Sequence, residues 1–179
     1  NSKSLWEFAS AYKDHGKNPE LVNGPDEGTG FRWVHDSYGT NWRMTEMQAI
    51  IGRTQLTKLA NWLVRRRENA EILATGFAKI PGLRVTRPRE NLEHAYYKFY
   101  AFVEMDKLNV GWDRDRIMNA IRAEGIPCFS GICPEIYLEQ AFVNAGYAPV
   151  ERLPIAKACG EASLLFLVHP TLNASQMHE

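Results

Sequence analysis

Asn41 and Arg43 stand two residues apart in the run Gly39-Thr40-Asn41-Trp42-Arg43-Met44-Thr45-Glu46-Met47-Gln48, and both carry donors suited to an anion. A carboxamide offers N–H donors without charge. A guanidinium offers a planar fork that meets a carboxylate or phosphate through two parallel hydrogen bonds. Each residue also has an ordinary use: Asn41 after Gly39 suits a turn, and Arg43 can form a surface ion pair with Glu46. The next four residues favour a built site. Thr45-Glu46-Met47-Gln48 has the spacing of a capping box, in which the Thr45 hydroxyl accepts from the Gln48 N–H and the Gln48 side chain reaches back to Thr45. A capped helix fixes the loop before it, as a ligand contact requires.

Other chemistry-bearing residues are scattered. His94, Tyr96, Lys98 and Tyr100 present polar tips in an otherwise apolar segment, and Ser130 opens the turn-rich crossing Ser130-Gly131-Ile132-Cys133-Pro134. Arg65-Arg66-Arg67 reads as a phosphate clamp or, on a long amphipathic helix, as a solvated face. Cys128, Cys133 and Cys159 form no C-x-x-C pair and have no histidine at metal-ligand spacing. A zinc site or disulfide framework is not expected, and the thiols read as reduced. The chain has no G-x-G-x-x-G after a strand, Walker loop, G-x-S-x-G elbow or H-E-x-x-H. Spacing alone reveals no self-contained active site.

The elements that must position these residues belong to a chain of 179 residues, one domain or one and a half. Its 21 basic and 21 acidic residues cancel and are interspersed, so the electrostatic footprint of a nucleic-acid binder is missing. No apolar run reaches the ~18 residues of a membrane span, and no basic-then-apolar leader opens the chain. A cytoplasmic protein with no membrane and no nucleic-acid partner is expected. Asn173-Ala174-Ser175 matches a glycosylation sequon, set aside for want of a secretory signal.

Leu5, Phe8, Ala9 and Tyr12 predict a short helix ended at His15-Gly16, whose apolar face needs an earlier segment of a longer chain to cover it. Lys17 to Gly30 reads as a long loop, and Phe31 to His35 as a short strand or extended arm. From Thr45 the apolar period runs to about Ile80. Gly52 predicts either a break near Arg53 to Thr57 or a close helix contact. Strands are expected at Leu83 to Thr86, at His94 to Met105 with Ala95, Tyr97, Phe99, Ala101 and Val103 on its apolar side, at Ile126 to Phe129, and at Leu164 to Val168. Helices are expected after Asp113, over Glu135 to Asn144 and after Pro154. The fold class is α+β (α/β in the broad sense), a small antiparallel or mixed three-stranded sheet covered by helices.

Taken together, these motifs resemble the DegT-type family of vitamin B6-dependent nucleotide-sugar aminotransferases, with fold type I architecture. The likeness is carried by Lys13-Asp14-His15-Gly16-Lys17; by Gly39-x-Asn41-x-Arg43-Met44-Thr45-Glu46 with Gln48-Ala49-x-x-Gly52; and by Gln55-Leu56-x-x-Leu59, Arg67 and Ala70. Pro81-Gly82-Leu83, Ala123-Glu124-Gly125-Ile126, Leu153-Pro154-x-Ala156 and His169-Pro170-x-Leu172 follow in order. The resemblance implies the C-terminal portion of such an enzyme: residues 1–38 as the end of the large domain and connecting loop, and 39–179 as the C-terminal small domain with a long helix over about 46–80. It implies pyridoxal 5'-phosphate as cofactor, a nucleotide-sugar substrate, glutamate or glutamine as amino donor, a homodimer, and a place in cell-surface polysaccharide biosynthesis.

Residue by residue, the resemblance makes Asn41 a donor to the cofactor phosphate of the neighbouring subunit and Arg43 a substrate contact, also acting in trans. Where many members place a His-Tyr pair before a proline, this chain has Ser130 to Pro134. Ser130, His94 and Tyr96 are then the candidate substitutes. None of Lys3, Lys13, Lys17, Lys58, Lys79, Lys98, Lys107 and Lys157 stands in the context of the family's Schiff-base lysine. The resemblance therefore implies that the isolated chain is inactive and probes only half of a shared site. A B6-dependent sugar dehydratase and a non-catalytic relative on the same scaffold are the alternatives.

Overall fold

The computed structural model describes residues 2–25, 31–131 and 133–179. Gly28-Thr29-Gly30 of the expected loop and Ile132 of the expected crossing lie outside them. The described chain divides into two compact units, Asn1–Thr57 and Lys58–Glu179, and the division falls within one helix.

In the first unit, helix α1 (Lys3–Tyr12) starts at Ser2, whose hydroxyl accepts from the Leu5 N–H at 3.3 Å. Its apolar side chains are exposed, Leu5 at 66% and Phe8 at 68%. Helix α2 (Pro19–Asn23) corrects the loop expected from Lys17: the Asn18 side chain accepts from the Glu20 and Leu21 N–H groups, and Pro19 fills the first helical position, where it needs no donor. Phe31 to His35 forms no strand; His35 makes only an isolated bridge with Lys17. Helix α3 (Glu46–Phe77) begins in this unit and runs on without the break expected near Arg53 to Thr57. A Cβ at Gly52 would meet no atom within 4 Å, so the expected close contact is also missing among the described residues. Glycine's propensity cost is about 1 kcal/mol, small beside the good helix formers around it.

The second unit is built on a sheet of β1 (Leu83–Val85), β2 (Phe99–Val103), β3 (Cys128–Phe129) and β4 (Ser163–Phe166). It has four strands rather than three, in the order β1-β2-β4-β3, and every neighbouring pair is antiparallel. The register sets Phe99, Phe166 and Cys128 in one row across the sheet. Because directly opposed residues share a face, this row joins Ala101, Val103 and Leu164 in a core packed on Ala70 and Ala74 of α3. Phe77 presents its edge or face to Phe99 and Phe166, with centroids 6.0 and 4.9 Å away. β4 is buried along its whole length, its apolar run of Leu164, Leu165 and Phe166 preceded by a buried, hydrogen-bonded Ser163.

The remaining helices follow local signals. In α4 (Arg114–Ala123) the Asp113 carboxylate accepts from the Arg116 N–H at 2.7 Å. The helix expected over Glu135 to Asn144 is instead a 3-10 turn, Ile136–Leu138, followed by α5 (Gln140–Asn144), because Glu139 is extended between them. α6 spans Pro154–Ala162. α7 (Ala174–His178) was not foreseen: the sequon asparagine, Asn173, forms a capping box with Gln176. Among the described residues no helix is long and apolar enough to cross a membrane.

Asn69 ties α3 to the chain after β4. It is fully buried, and its amide donates to the carbonyls of His169 at 2.9 Å and Leu172 at 3.3 Å. Asn69→Ala would strand both carbonyls and is expected to destabilise the protein by about 2–3 kcal/mol. Urea unfolding would show this as a lowered midpoint; an unchanged midpoint would contradict it.

Candidate functional site

In the first unit the chain after α1 lies against residues 36–42 backbone to backbone. Thr40 N–H donates to the Tyr12 carbonyl at 2.7 Å, His15 N–H to Thr40 at 3.1 Å, and Trp42 N–H to Lys13 at 3.0 Å. Asp14 and Asn41 pair as an antiparallel bridge. Two glycines permit this approach. Gly16 adopts φ +80°, and a Cβ there would run into the Ser37 carbonyl. A Cβ on Gly39 would lie 2.5 Å from both the Gly16 nitrogen and the Tyr12 oxygen, closer than any side chain tolerates.

This contact sets the two leading candidates. The Asn41 side-chain oxygen, Oδ1, accepts from the Arg43 N–H at 3.2 Å, so its carboxamide N–H groups are directed away from that bond, on an exposed residue. The Arg43 guanidinium pairs with Asp14 and not with Glu46, the ordinary partner that the sequence offers. Lys17 Nζ lies 3.4 Å from the other Asp14 oxygen, an ion-pair distance without hydrogen-bond alignment. Partial burial alone would raise the Asp14 pKa. The positive charges of Arg43 and Lys17, with the Arg43 hydrogen bond, outweigh it and hold the carboxyl below its ordinary value. The Arg43 side chain keeps 54% of its surface open with Asp14 behind it. The expected capping box closes the element: Thr45 N–H donates to Gln48 Oε1 at 2.9 Å, and Gln48 N–H to Thr45 Oγ at 3.3 Å.

In the second unit the strand expected from His94 begins only at Phe99. Tyr96 takes a left-handed backbone, φ +45°, which inverts the alternation before it. Tyr96 therefore packs on the core and stacks on Phe99, while Tyr97, expected inside, is 71% exposed. Ala95, expected on the same apolar side, is exposed as well. His94 and Tyr96 are brought together with ring centroids 4.4 Å apart. The arginine run is neither a clamp nor a uniformly solvated face: Arg65 pairs with Glu68, whereas Arg66 and Arg67 are half-buried and donate to backbone carbonyls.

Ser130 sits apart from that pair, and among the described residues no hydrogen bond joins it to His94 or Tyr96. Its carbonyl accepts from Ser163 Oγ at 2.6 Å and from Arg114 Nη1, which also reaches the Ser163 carbonyl at 3.0 Å. The crossing ends at Pro134, packed so closely on Gly160 that a Cβ there would lie 2.6 Å from the proline Cβ. Glu135 follows. It accepts from the Tyr137 hydroxyl at 2.5 Å and from Arg152 Nε at 3.0 Å, and Leu153 N–H donates to Tyr137 at 2.9 Å. Bonds from Arg152 and then Tyr137 bring the Glu135 pKa down to about 2.

Among the described residues no group of three or more His, Cys, Asp or Glu side chains is placed to hold a metal. Asp14, Arg66, Arg67 and Glu135 are the residues that sequence reasoning missed as site supports. Asp14 and Arg67 lay within quoted motifs, but their partners are distant in sequence.

The helices over an antiparallel sheet define an α+β domain of fold type I aminotransferase architecture. The whole of residues 1–179 matches the sequence model of the DegT/DnrJ/EryC1/StrS aminotransferase family, and the chain belongs to that family. It is 48% identical to an aminotransferase from Psychrobacter cryohalolentis of known structure, with a TM-score of 0.87, covering 99% of this chain and 47% of that one. It is 28% identical over 150 residues to a dTDP-3-amino-3,4,6-trideoxy-alpha-D-glucose transaminase of Streptomyces venezuelae, covering 83% of this chain and 37% of that protein. The E. coli GDP-4-keto-6-deoxy-D-mannose-3-dehydratase, solved with bound hydrated PLP, shares the fold at 20% identity and a TM-score of 0.75, over 98% of this chain and 46% of its own. The chain thus spans less than half the length of these relatives.

The depressed Glu135 pKa has a signed consequence. Its contribution to stability is fully present above the ordinary 4.5 and is lost as pH falls toward about 2. Glu135→Gln is expected to flatten the stability profile between those values in acid titrations followed by circular dichroism. An unchanged slope would contradict the network.

Proposed function

We propose that this chain is the C-terminal part of a pyridoxal phosphate-dependent aminotransferase that moves an amino group from glutamate or glutamine to a nucleotide-linked keto sugar in the cytoplasm. The observation that carries this reading is the geometry at Asn41 and Arg43: two different anion donors, two residues apart, braced from behind by Asp14 and by a capped helix. Family membership and the names of the more similar relatives support it. The likeness to the dehydratase is one of fold, so aminotransfer is favoured over dehydration.

The residues fit the cofactor. With its side-chain oxygen held by the Arg43 N–H, Asn41 presents its NH2 donors outward, which suits a phosphate whose charge is met elsewhere. When bound, pyridoxal phosphate supplies the electron sink for the exchange of amine and ketone. Asn41 anchors the phosphate of the neighbouring subunit of a homodimer. Arg43 binds a carboxylate or phosphate of the substrate there, its guanidinium kept from swinging by Asp14. His94, Tyr96 and Ser130 contribute to the sugar side. With no lysine in the cofactor-binding context, residues 1–179 alone do not carry out the reaction.

In the full-length enzyme Arg43→Lys is expected to raise KM for the nucleotide sugar by about tenfold or more, because an ammonium cannot reproduce a two-bond contact, with cofactor absorbance unchanged. Asn41→Ala is expected to do the reverse, weakening cofactor retention with little effect on sugar KM. Equal loss of both properties in either variant would overturn the assignment.

A further inference from the structure

Arg66 and Arg67 are consecutive residues of α3, and both spend their donors on one short segment. Arg66 Nη1 donates to the carbonyls of Tyr96 and Tyr97, each at 3.1 Å. Arg67 Nε donates to the His94 carbonyl at 3.1 Å, and its Nη2 pairs with Glu93 at 2.9 Å. Among these contacts lies Tyr96, at φ +45°. A bulky residue seldom adopts that conformation; glycine or asparagine would do so at less cost. Strain of this kind persists only where the surroundings over-determine it, and here two guanidiniums do so.

The strained backbone decides which side chains go where. It turns the Tyr96 ring inward, edge-on to His94 and stacked on Phe99, and turns Tyr97 outward. His94 Nδ1 accepts the Tyr96 N–H at 3.1 Å, so a neutral His94 carries its proton on Nε2, free to donate. The Tyr96 hydroxyl has no hydrogen-bond partner among the described residues. Both rings line an open recess of about 500 Å³ together with Arg67, Glu71, Leu92 and Glu93. Its carboxylates at Glu68, Glu71 and Glu93 are already paired, with Arg65, Arg87 and Arg67. What the recess offers is neutral donors and acceptors against apolar ring faces, chemistry that suits uncharged hydroxyl groups.

We infer that Arg66 and Arg67 are positioning residues that hold the Glu93–Tyr97 backbone so that the Tyr96 hydroxyl and His94 Nε2–H meet the sugar hydroxyls of the substrate in this recess. The inference rests on the reading that the substrate is a nucleotide-linked sugar. It makes the middle of α3 part of substrate recognition, although neither arginine touches the substrate. Arg66 acts through Tyr96.

The test is a double-mutant cycle in the full-length enzyme with Tyr96→Phe, Arg66→Met and their combination. Tyr96→Phe keeps the ring and its packing and removes only the hydroxyl. It is expected to leave Tm unchanged and to raise KM for the nucleotide sugar about fivefold to tenfold, with kcat, amino-donor KM and cofactor absorbance unchanged. Arg66→Met is expected to raise the same KM, Arg66→Lys to recover part of the loss, and the double variant to be no worse than the worse single one. Unchanged KM in Tyr96→Phe, additive effects in the double variant, or an Arg66→Met that lowers Tm and kcat and raises the donor KM together would overturn the inference. Calorimetric titration of nucleotide sugar separates this from the functional reading. A wild-type enzyme that binds the sugar, loses affinity on Tyr96→Phe and transfers no amine overturns only the aminotransfer reading. One that binds no nucleotide sugar overturns both.

Discussion

Backbone meets backbone where Gly16 and Gly39 pass one another, and the first unit is arranged around that approach. Neither position admits a Cβ, the first because of the Ser37 carbonyl and the second because of the Gly16 nitrogen and Tyr12 oxygen. With the glycines in place, Tyr12, Lys13 and His15 exchange hydrogen bonds with Thr40 and Trp42, and Asp14 comes opposite Asn41. The charge pair between Asp14 and Arg43 follows from this pairing. A larger residue at either glycine would separate the segments, and the orientation of both candidate ligands would go with them.

The second unit solves a similar problem with side chains instead of glycine. Its sheet supplies a conventional core, with Phe99, Phe166 and Cys128 in one row against α3. The segments that leave the sheet are irregular, and polar side chains hold their carbonyls: Arg66 and Arg67 before β2, Arg114 and Ser163 after β3, Asn69 after β4. An arginine fork can satisfy carbonyls of a bent backbone that no ladder reaches. Such a segment keeps a fixed shape without becoming a strand. His94, Tyr96 and Ser130 all sit on segments fixed in this way.

What could be read from the sequence was local. The capping box at Thr45–Gln48, the Asp113 cap and the β2 and β4 cores announced themselves through spacing and periodicity over a few residues. What escaped depended on partners far along the chain. Arg43 was legible as an anion ligand, but its counter-ion Asp14 lies 29 residues earlier and nothing in either neighbourhood marks the pair. The alternation from His94 to Met105 reads as one strand because left-handed backbone at a tyrosine has no sequence signature. Arg66, 30 residues away, is what sustains it. Asn173 reads as a sequon, whereas Gln176 three residues on makes it a helix cap.

Asn41 and Arg43 are proposed to complete a site in the other subunit, and subunit complementation of the full-length enzyme decides the matter. One variant carries Asn41→Ala with Arg43→Ala; the other lacks the lysine that holds the cofactor. Each homodimer is expected to be inactive. Mixed dimers should regain aminotransfer, since one of their two sites then combines an intact lysine with the intact Asn41 and Arg43 of the partner. Mixed dimers that form, as shown by affinity tags on both subunits, yet stay inactive would place these residues in the site of their own chain and contradict the account.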